Sequence, residues 1–188
     1  MNVIKKVGVL ALQGDFERHR SAVERAGGEA IEVRTAEQLA SCDGLIIPGG
    51  ESTTMLKLLD IEKLTDAVRE FAARKPVYGS CAGAILLAHA VTGPAQKSLD
   101  LMDIDVERNA YGRQIDSRID NIEVQGGGAL EAVFIRAPII RRVGAEAKVR
   151  ASYHGDPVWV EQGRHMVTTF HPELSEDSRV HREFVEKL

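Results

Sequence analysis

The pattern of apolar and polar positions changes character near the middle of the chain. Val7-Gly8-Val9-Leu10-Ala11-Leu12 is a continuous apolar run, the pattern of a central strand covered on both faces. Gln13-Gly14 ends the run, and Asp15 can cap a helix to about Ala26, where Gly27-Gly28 stops it. Ala30–Arg34 predicts a second strand, and Thr35 can cap a short helix through Leu39. Gly44–Pro48 predicts a third strand, which ends in the turn Gly49-Gly50-Glu51-Ser52. One short helix starts at Thr53, and Ile61, Leu64, Val68 and Phe71 mark the apolar face of another over Ile61–Arg74. After Pro76, Val77-Tyr78 reads as a short buried strand and Ala84–Ala88 as a buried helix start. Alternating strands and helices predict a parallel sheet with helices on both faces.

Past residue 100 the period shortens. Asp103–Glu107 alternates, as a half-exposed strand does, and Ile119–Val124, Ala132–Arg136, Val149–Tyr153, Val158–Val160 and His165–Phe170 are short strand patterns between turn residues. His154-Gly155-Asp156-Pro157 fits a hairpin turn. These segments predict antiparallel strands added to the sheet, the last one returning toward its middle. Asp177–Lys187 closes the chain as an amphipathic helix with Val180, Phe184 and Leu188 on its apolar face.

Composition narrows the partners. The 188 residues, 44% hydrophobic and 28% charged, suit one soluble globular domain with a real core. A net charge of −4 without a basic block argues against nucleic acid. No apolar run approaches a membrane span, and the N-terminal run beside Lys5 and Lys6 is too short for a signal peptide and reads as the first strand. Cys42 and Cys81 make neither a C-x-x-C nor a zinc-spaced cluster, so no metal or cofactor is expected, and a reduced, cytoplasmic setting fits.

The candidate chemistry centres on Gly79-Ser80-Cys81-Ala82-Gly83. A strand, a G-x-nucleophile-x-G turn and a helix form a nucleophile elbow, with Cys81 at its tip beside the first amides of the helix. The competing reading is a buried structural cysteine. Ligands of a parallel sheet bind beyond the carboxyl ends of its strands. The loops at such ends are Gln13-Gly14, Gly49–Ser52, the elbow, and His171-Pro172-Glu173 after Thr169-Phe170. A Cys nucleophile needs a base, and the base needs an orienting group, so Cys81, His171 and Glu173 read as a triad. His19 and His181 fall on expected surface helices, His154 in a turn, His89 after the elbow helix and His165 at a strand start; all read as solvated or packed. Gly49-Gly50-Glu51 is either a strand-to-helix loop capped by Ser52 or Thr53, or an oxyanion hole built from the Gly50 and Ala82 amides. Its spacing matches no phosphate-binding fingerprint.

In order along the chain, LALQGD (Leu10–Asp15), PGGESTTM (Pro48–Met55), GSCAG, ERNAYGRQ (Glu107–Gln114), FIRAP (Phe134–Pro138) and FHPEL (Phe170–Leu174) resemble the motifs of class I, triad-type glutamine amidotransferases. GGESTT with RNAYGRQ and FIRAP resembles, within that class, the glutaminase subunits of pyridoxal 5′-phosphate synthases. The resemblance covers nearly the whole chain, residues 1–188, as a single amidotransferase domain. It implies a three-layer, flavodoxin-like α/β fold with a mostly parallel central sheet and added antiparallel strands. It implies hydrolysis of L-glutamine to glutamate and ammonia, the ammonia passing to a β/α-barrel synthase subunit in a hetero-oligomeric complex. By position it implies Cys81 as nucleophile, His171 as base and Glu173 as its partner. Gly50, Glu51, Ser52, Arg108, Ile135 and Arg136 match the glutamine-contacting positions, and Gln13 lies in the loop that helps arrange the oxyanion hole. Ser80 stands where the family commonly has Thr, and Tyr111 where Phe is common.

The chemistry of a glutamine site can also be read from the residues without that resemblance, although Arg108 taken outside its motif fits a surface salt bridge better. The planar fork of Arg108 suits the α-carboxylate, against a salt bridge with Glu107 or Asp105. Glu51 can serve the α-ammonium, with backbone contacts as the alternative. Arg136 inside the apolar FIRA segment needs a strand-end site or an ion pair. The rival functions are the amidotransferase subunit of another synthase, a stand-alone γ-glutamyl hydrolase, and a non-enzymatic binding module.

Overall fold

The structure, a computed structural model, describes residues 4–110 and 117–188. Tyr111 and the end of the ERNAYGRQ segment lie outside the described residues. The chain opens with strand β1 (Lys6–Leu10), helix α1 (Phe16–Arg25) and strand β2 (Glu29–Val33). Helix α2 (Ala36–Ala40), strand β3 (Gly44–Ile47), helices α3 (Ser52–Ile61) and α4 (Thr65–Ala72), strand β4 (Val77–Ser80) and helix α5 (Ala82–Leu87) follow. Strands β5 (Ala88–Thr92), β6 (Met102–Glu107), β7 (Ser117–Val124), β8 (Gly128–Ile135), β9 (Ile139–Val143), β10 (Ala147–Tyr153), β11 (Asp156–Gln162) and β12 (His165–Thr168) make up the second half. A 3-10 turn (Pro172–Leu174) and helix α6 (Arg179–Glu186) close it.

The larger sheet runs β2-β1-β3-β4-β12-β11-β10-β7-β8. Its first five strands are parallel neighbours and the rest pair antiparallel. The last strand inserts beside β4 in the middle, as the sequence predicts. The order β2-β1-β3-β4, followed by a further parallel strand, is the flavodoxin-type doubly wound arrangement. Consecutive residues of the apolar runs part to opposite faces. Leu45, Ile47 and Val77 join Leu39, Met55, Leu59 and Val68 of α2, α3 and α4, while Val7, Val9, Ile46 and Tyr78 join Val23 of α1 and Val180 and Phe184 of α6. The result is an α/β fold with helices on both faces of the sheet.

Several local expectations are corrected. Strands β5 and β9 were not legible in the sequence; with β6 they form a separate three-stranded sheet. Ala88 starts β5 instead of extending the elbow helix. Ile61 ends α3 at 68% exposure, so it does not lie on the buried face of α4. Lys63, in the left-handed region, separates the two helices. Asp15 occupies the N-cap position of α1 without a side-chain capping bond, whereas Thr35 caps α2 in a reciprocal box with Gln38. His19 and His181 are fully buried between their helices and the sheet. The turn His154-Gly155 joins β10 to β11 with both residues at positive φ, the two-residue hairpin geometry that matches strand twist.

The elbow depends on two close approaches. A Cβ on Gly79 would meet the Gly83 backbone, and a Cβ on Gly83 would overlap the Ile47 carbonyl oxygen at the end of β3. Helix α5 therefore lies against β3 and β4 at a distance only glycine permits. Gly83→Ala is expected to destabilise the protein by about 3 kcal/mol or more, because a backbone oxygen cannot swing aside as a side chain does. A urea midpoint unchanged from wild type would contradict this.

Candidate active site

The sheet order reverses between β1 and β3, and a cleft of about 470 Å³ opens beyond their carboxyl ends. Gln13, Gly14 and Asp15 line it after β1, Gly49 to Ser52 after β3, and Cys81, Ala82 and Ile85 after β4. Arg108 and Asn109 come from the end of β6, Ile135, Arg136 and Pro138 from the end of β8, and His171 from the segment after β12. Glu173 sits behind His171, 3% exposed. Every site residue expected from the sequence is therefore gathered in or directly behind one cleft. Gly14, Asp15, Gly49, Ile85, Asn109 and Pro138 join them; all but Ile85 belong to the motifs quoted above, without an assigned contact to the substrate.

Cys81 stands between strand and helix at φ 52°, ψ −106°, a left-handed conformation unusual for a residue with a side chain. Its amide donates to the Thr168 carbonyl at 2.8 Å, which ties the elbow to β12. The His171 amide donates to the Val133 carbonyl at 2.8 Å, so the segment after β12 that carries its ring is anchored to β8. A Cβ at Gly49 would come within 2.6 Å of His171 Cε1, so the glycine leaves the space the ring occupies.

His171 Nδ1 lies 2.7 Å from Glu173 Oε1. With the carboxylate ionised, Nδ1 carries the proton and Nε2 is the nitrogen available toward the cleft. Burial alone would lower the imidazole pKa, but Cys81 and Glu173 outweigh it and raise it to about 10. Burial would raise the Glu173 carboxyl, but His19 and His171 outweigh that and hold it at about 2.

The Gly49–Ser52 loop is fastened from three sides. Gln13 Oε1 accepts from the Glu51 amide at 3.0 Å. The Asp15 amide donates to the Gly49 carbonyl at 3.3 Å. The N-cap of α3 is Glu51, in place of the Ser52 or Thr53 expected: its carboxylate accepts from the Thr54 amide and hydroxyl, both at 2.7 Å, and from Thr53. Bonds from Thr53 and Thr54 keep its pKa at about 2. Arg108 does not bind Glu107 or Asp105, which pair with Arg141 and Arg142. It donates to Gln96 Oε1, which also accepts from Ser52 Oγ at 3.0 Å, and it lies 3.8 Å from Glu51. Gln96 thus links two cleft residues, in a segment whose sequence is uninformative. Arg136 lies just past the end of β8 in a left-handed conformation, so the strand-end alternative holds. Among the described residues no group of three or more His, Cys, Asp or Glu is arranged to hold a metal ion. No described helix is long and apolar enough to cross a membrane.

A cysteine on a strained strand-to-helix turn, beside a histidine held by a buried carboxylate, defines the class of cysteine-dependent acyl-transfer scaffolds. The chain belongs to the SNO glutamine amidotransferase family, whose model matches residues 9–188. It is 60% identical over 192 residues to a protein of Solibacter usitatus (strain Ellin6076) named pyridoxal 5′-phosphate synthase subunit PdxT, covering 98% of this chain and 100% of that one. A PdxT subunit of Koribacter versatilis (strain Ellin345) is 52% identical, covering 97% and 95%. A crystal structure of a glutamine amidotransferase superposes with a TM-score of 0.91 at 47% identity, covering 96% and 97%.

Proposed function

We propose that this chain is the glutaminase subunit of a pyridoxal 5′-phosphate synthase, read as one amidotransferase domain over residues 1–188. It hydrolyses L-glutamine and passes the ammonia to a synthase subunit, a β/α barrel, in a hetero-oligomer of the cytoplasm. The observation that carries the chemistry is the convergence of three distant segments: Cys81 and His171 line one cleft, and Glu173 lies 2.7 Å behind the imidazole. The names of the relatives at 60% and 52% identity support the choice of synthase.

In this reading the Cys81 thiolate attacks the δ-carboxamide carbon. The Gly50 and Ala82 amides stabilise the oxyanion, within a loop held by Gln13. His171 gives its proton to the departing ammonia, leaving a γ-glutamyl thioester. The neutral imidazole then takes a proton from water, whose oxygen attacks the thioester, releasing glutamate and restoring the thiolate and imidazolium. Arg108 receives the substrate α-carboxylate, Glu51 the α-ammonium, and Ser52, Ile135 and Arg136 complete the walls.

Mixing the protein with the synthase subunit, glutamine and the synthase's phosphosugar substrates should give glutamine-dependent pyridoxal 5′-phosphate. Glutamine hydrolysis that ignores this synthase and responds to another one would overturn the assignment. Full hydrolysis with no partner at all would favour the stand-alone hydrolase. Arg108→Met removes a charge-assisted bond to the carboxylate, so KM for glutamine is expected to rise about 10- to 100-fold. A KM equal to wild type in steady-state assays would remove Arg108 from the site.

A further inference from the structure

Behind the cleft, two histidines are sealed into the core. His19 of α1 and His181 of α6 are both fully buried, with His19 Nδ1 at 2.9 Å from His181 Nε2. The other nitrogen of His19, Nε2, lies 3.2 Å from Ser80 Oγ and 3.3 Å from Glu173 Oε2. Glu173 Oε1 is committed to His171. Among the described residues Oε2 has no aligned hydrogen-bond donor, although it is fully buried. The His19 contact is therefore a close electrostatic one that a small rotation of the ring or carboxylate would align. A buried carboxylate oxygen left unsupported carries a large desolvation cost.

We propose that His19 is a positioning residue for the glutaminase reaction: its neutral imidazole supports the free oxygen of Glu173 and so holds the carboxylate against His171. The proposal rests on the reading of Cys81, His171 and Glu173 given above. The contacts select one set of tautomers. Facing an anionic oxygen, His19 Nε2 carries the proton. Its bare Nδ1 then accepts from His181 Nε2–H. His181 Nδ1 is left as a bare lone pair, consistent with its lack of any partner among the described residues. The titratable groups facing His19 are Glu173, His171 and Asp15, together with the neighbouring rings of His181 and Tyr78. Burial lowers the pKa of His19 despite the pull of Glu173, and it lowers His181 to about 3. Neutrality has a chemical consequence. A cation at His19 would compete with the imidazolium of His171 for the charge of Glu173. A neutral N–H donor steadies the carboxylate and leaves that charge available to His171.

The test uses the complex with the synthase subunit and the variants His19→Leu, His19→Asn and His19→Gln. Two quantities are measured: steady-state glutamine hydrolysis, and alkylation of Cys81 by iodoacetamide against pH, followed by peptide mass. The second needs no glutamine turnover. His19→Leu is expected to lower kcat about 10- to 100-fold, the range for losing the outer partner of an oriented group, while KM stays within about twofold. The alkaline inflection of the alkylation profile, where His171 loses its proton, should move to lower pH. Gln can present an amide N–H at the distance of the imidazole nitrogen and should recover at least about fivefold in kcat over the shorter Asn. If His19→Leu does not fold, the Asn and Gln pair decides. A folded His19→Leu with wild-type kcat and an unmoved inflection, or equal rates for Asn and Gln, would overturn the proposal. A wild-type complex that leaves glutamine intact, while His19→Leu still moves the alkylation inflection, would instead defeat the functional reading and leave the His19 contact standing.

Discussion

Cys81→Ala is expected to lower glutamine hydrolysis by roughly 10⁴-fold or more, because no other group at the tip of the elbow can form the thioester. The fold is expected to survive. The Cys81 amide keeps its bond to the Thr168 carbonyl, and Gly79 and Gly83 still allow α5 its close approach to β3. Alanine bears the left-handed backbone at no greater steric cost than cysteine, so the strain at φ 52° is carried over unchanged. The melting temperature should therefore stay within a few degrees of wild type, since a change of about 1 kcal/mol moves a domain of this size by about 2–4 °C. Ammonia release in the presence of the synthase subunit is the measurement. Retained turnover in a folded Cys81→Ala protein would remove the covalent mechanism altogether.

Much of this site was legible because its glycines and its charges serve local needs that leave a trace in sequence. The elbow is written in Gly79, Cys81 and Gly83, since a strand cannot turn into a helix so sharply with larger residues at both ends. His171 and Glu173 stand two apart across Pro172, so one short turn presents both. The parallel half of the sheet follows from apolar runs flanked by Gly, Thr and Pro. What escaped depends on tertiary neighbours. Strand β9 reads IIRRV, and its arginines find their carboxylates in tertiary neighbours: Glu107, Asp103 and Asp105 on β6, more than thirty residues earlier, with Asp156 of β11 also near Arg141. The α3–α4 break rests on Lys63 in a left-handed turn, which no glycine announces. His19 and His181 look like polar members of surface helices, because periodicity cannot tell a solvated imidazole from one that faces its match 162 residues away. The cap at Glu51 and the bridge through Gln96 were missed for a related reason: a long polar side chain can serve several partners, and the choice is made by the assembled loops.

Glu173→Gln separates the charge of the triad from its shape. The substitution conserves volume in a buried position, yet it is expected to lower kcat about 10³- to 10⁴-fold, as loss of an orienting carboxylate does elsewhere. An amide offers one acceptor and one donor end. If its oxygen faces His171 Nδ1–H, its NH₂ meets the Nε2 side of His19. If it is reversed, it presents N–H to Nδ1 and drives His171 to the other tautomer, with its proton on the nitrogen meant to act as base. In either orientation the imidazolium loses the anion that helps raise its pKa to about 10, and that pKa should fall. Stability responds in the acid range. The Glu173 pKa is about 2 in the folded protein against an ordinary 4.5, so the folded state favours the carboxylate anion. Its contribution is complete above about pH 4.5 and is lost as pH falls toward 2. The wild-type advantage in melting temperature over Glu173→Gln should accordingly shrink between pH 5 and pH 3, in thermal melts of the two proteins run side by side. An advantage that stays constant across that window, or a Glu173→Gln enzyme with wild-type kcat, would show that the carboxylate charge is not what holds His171 in its working state.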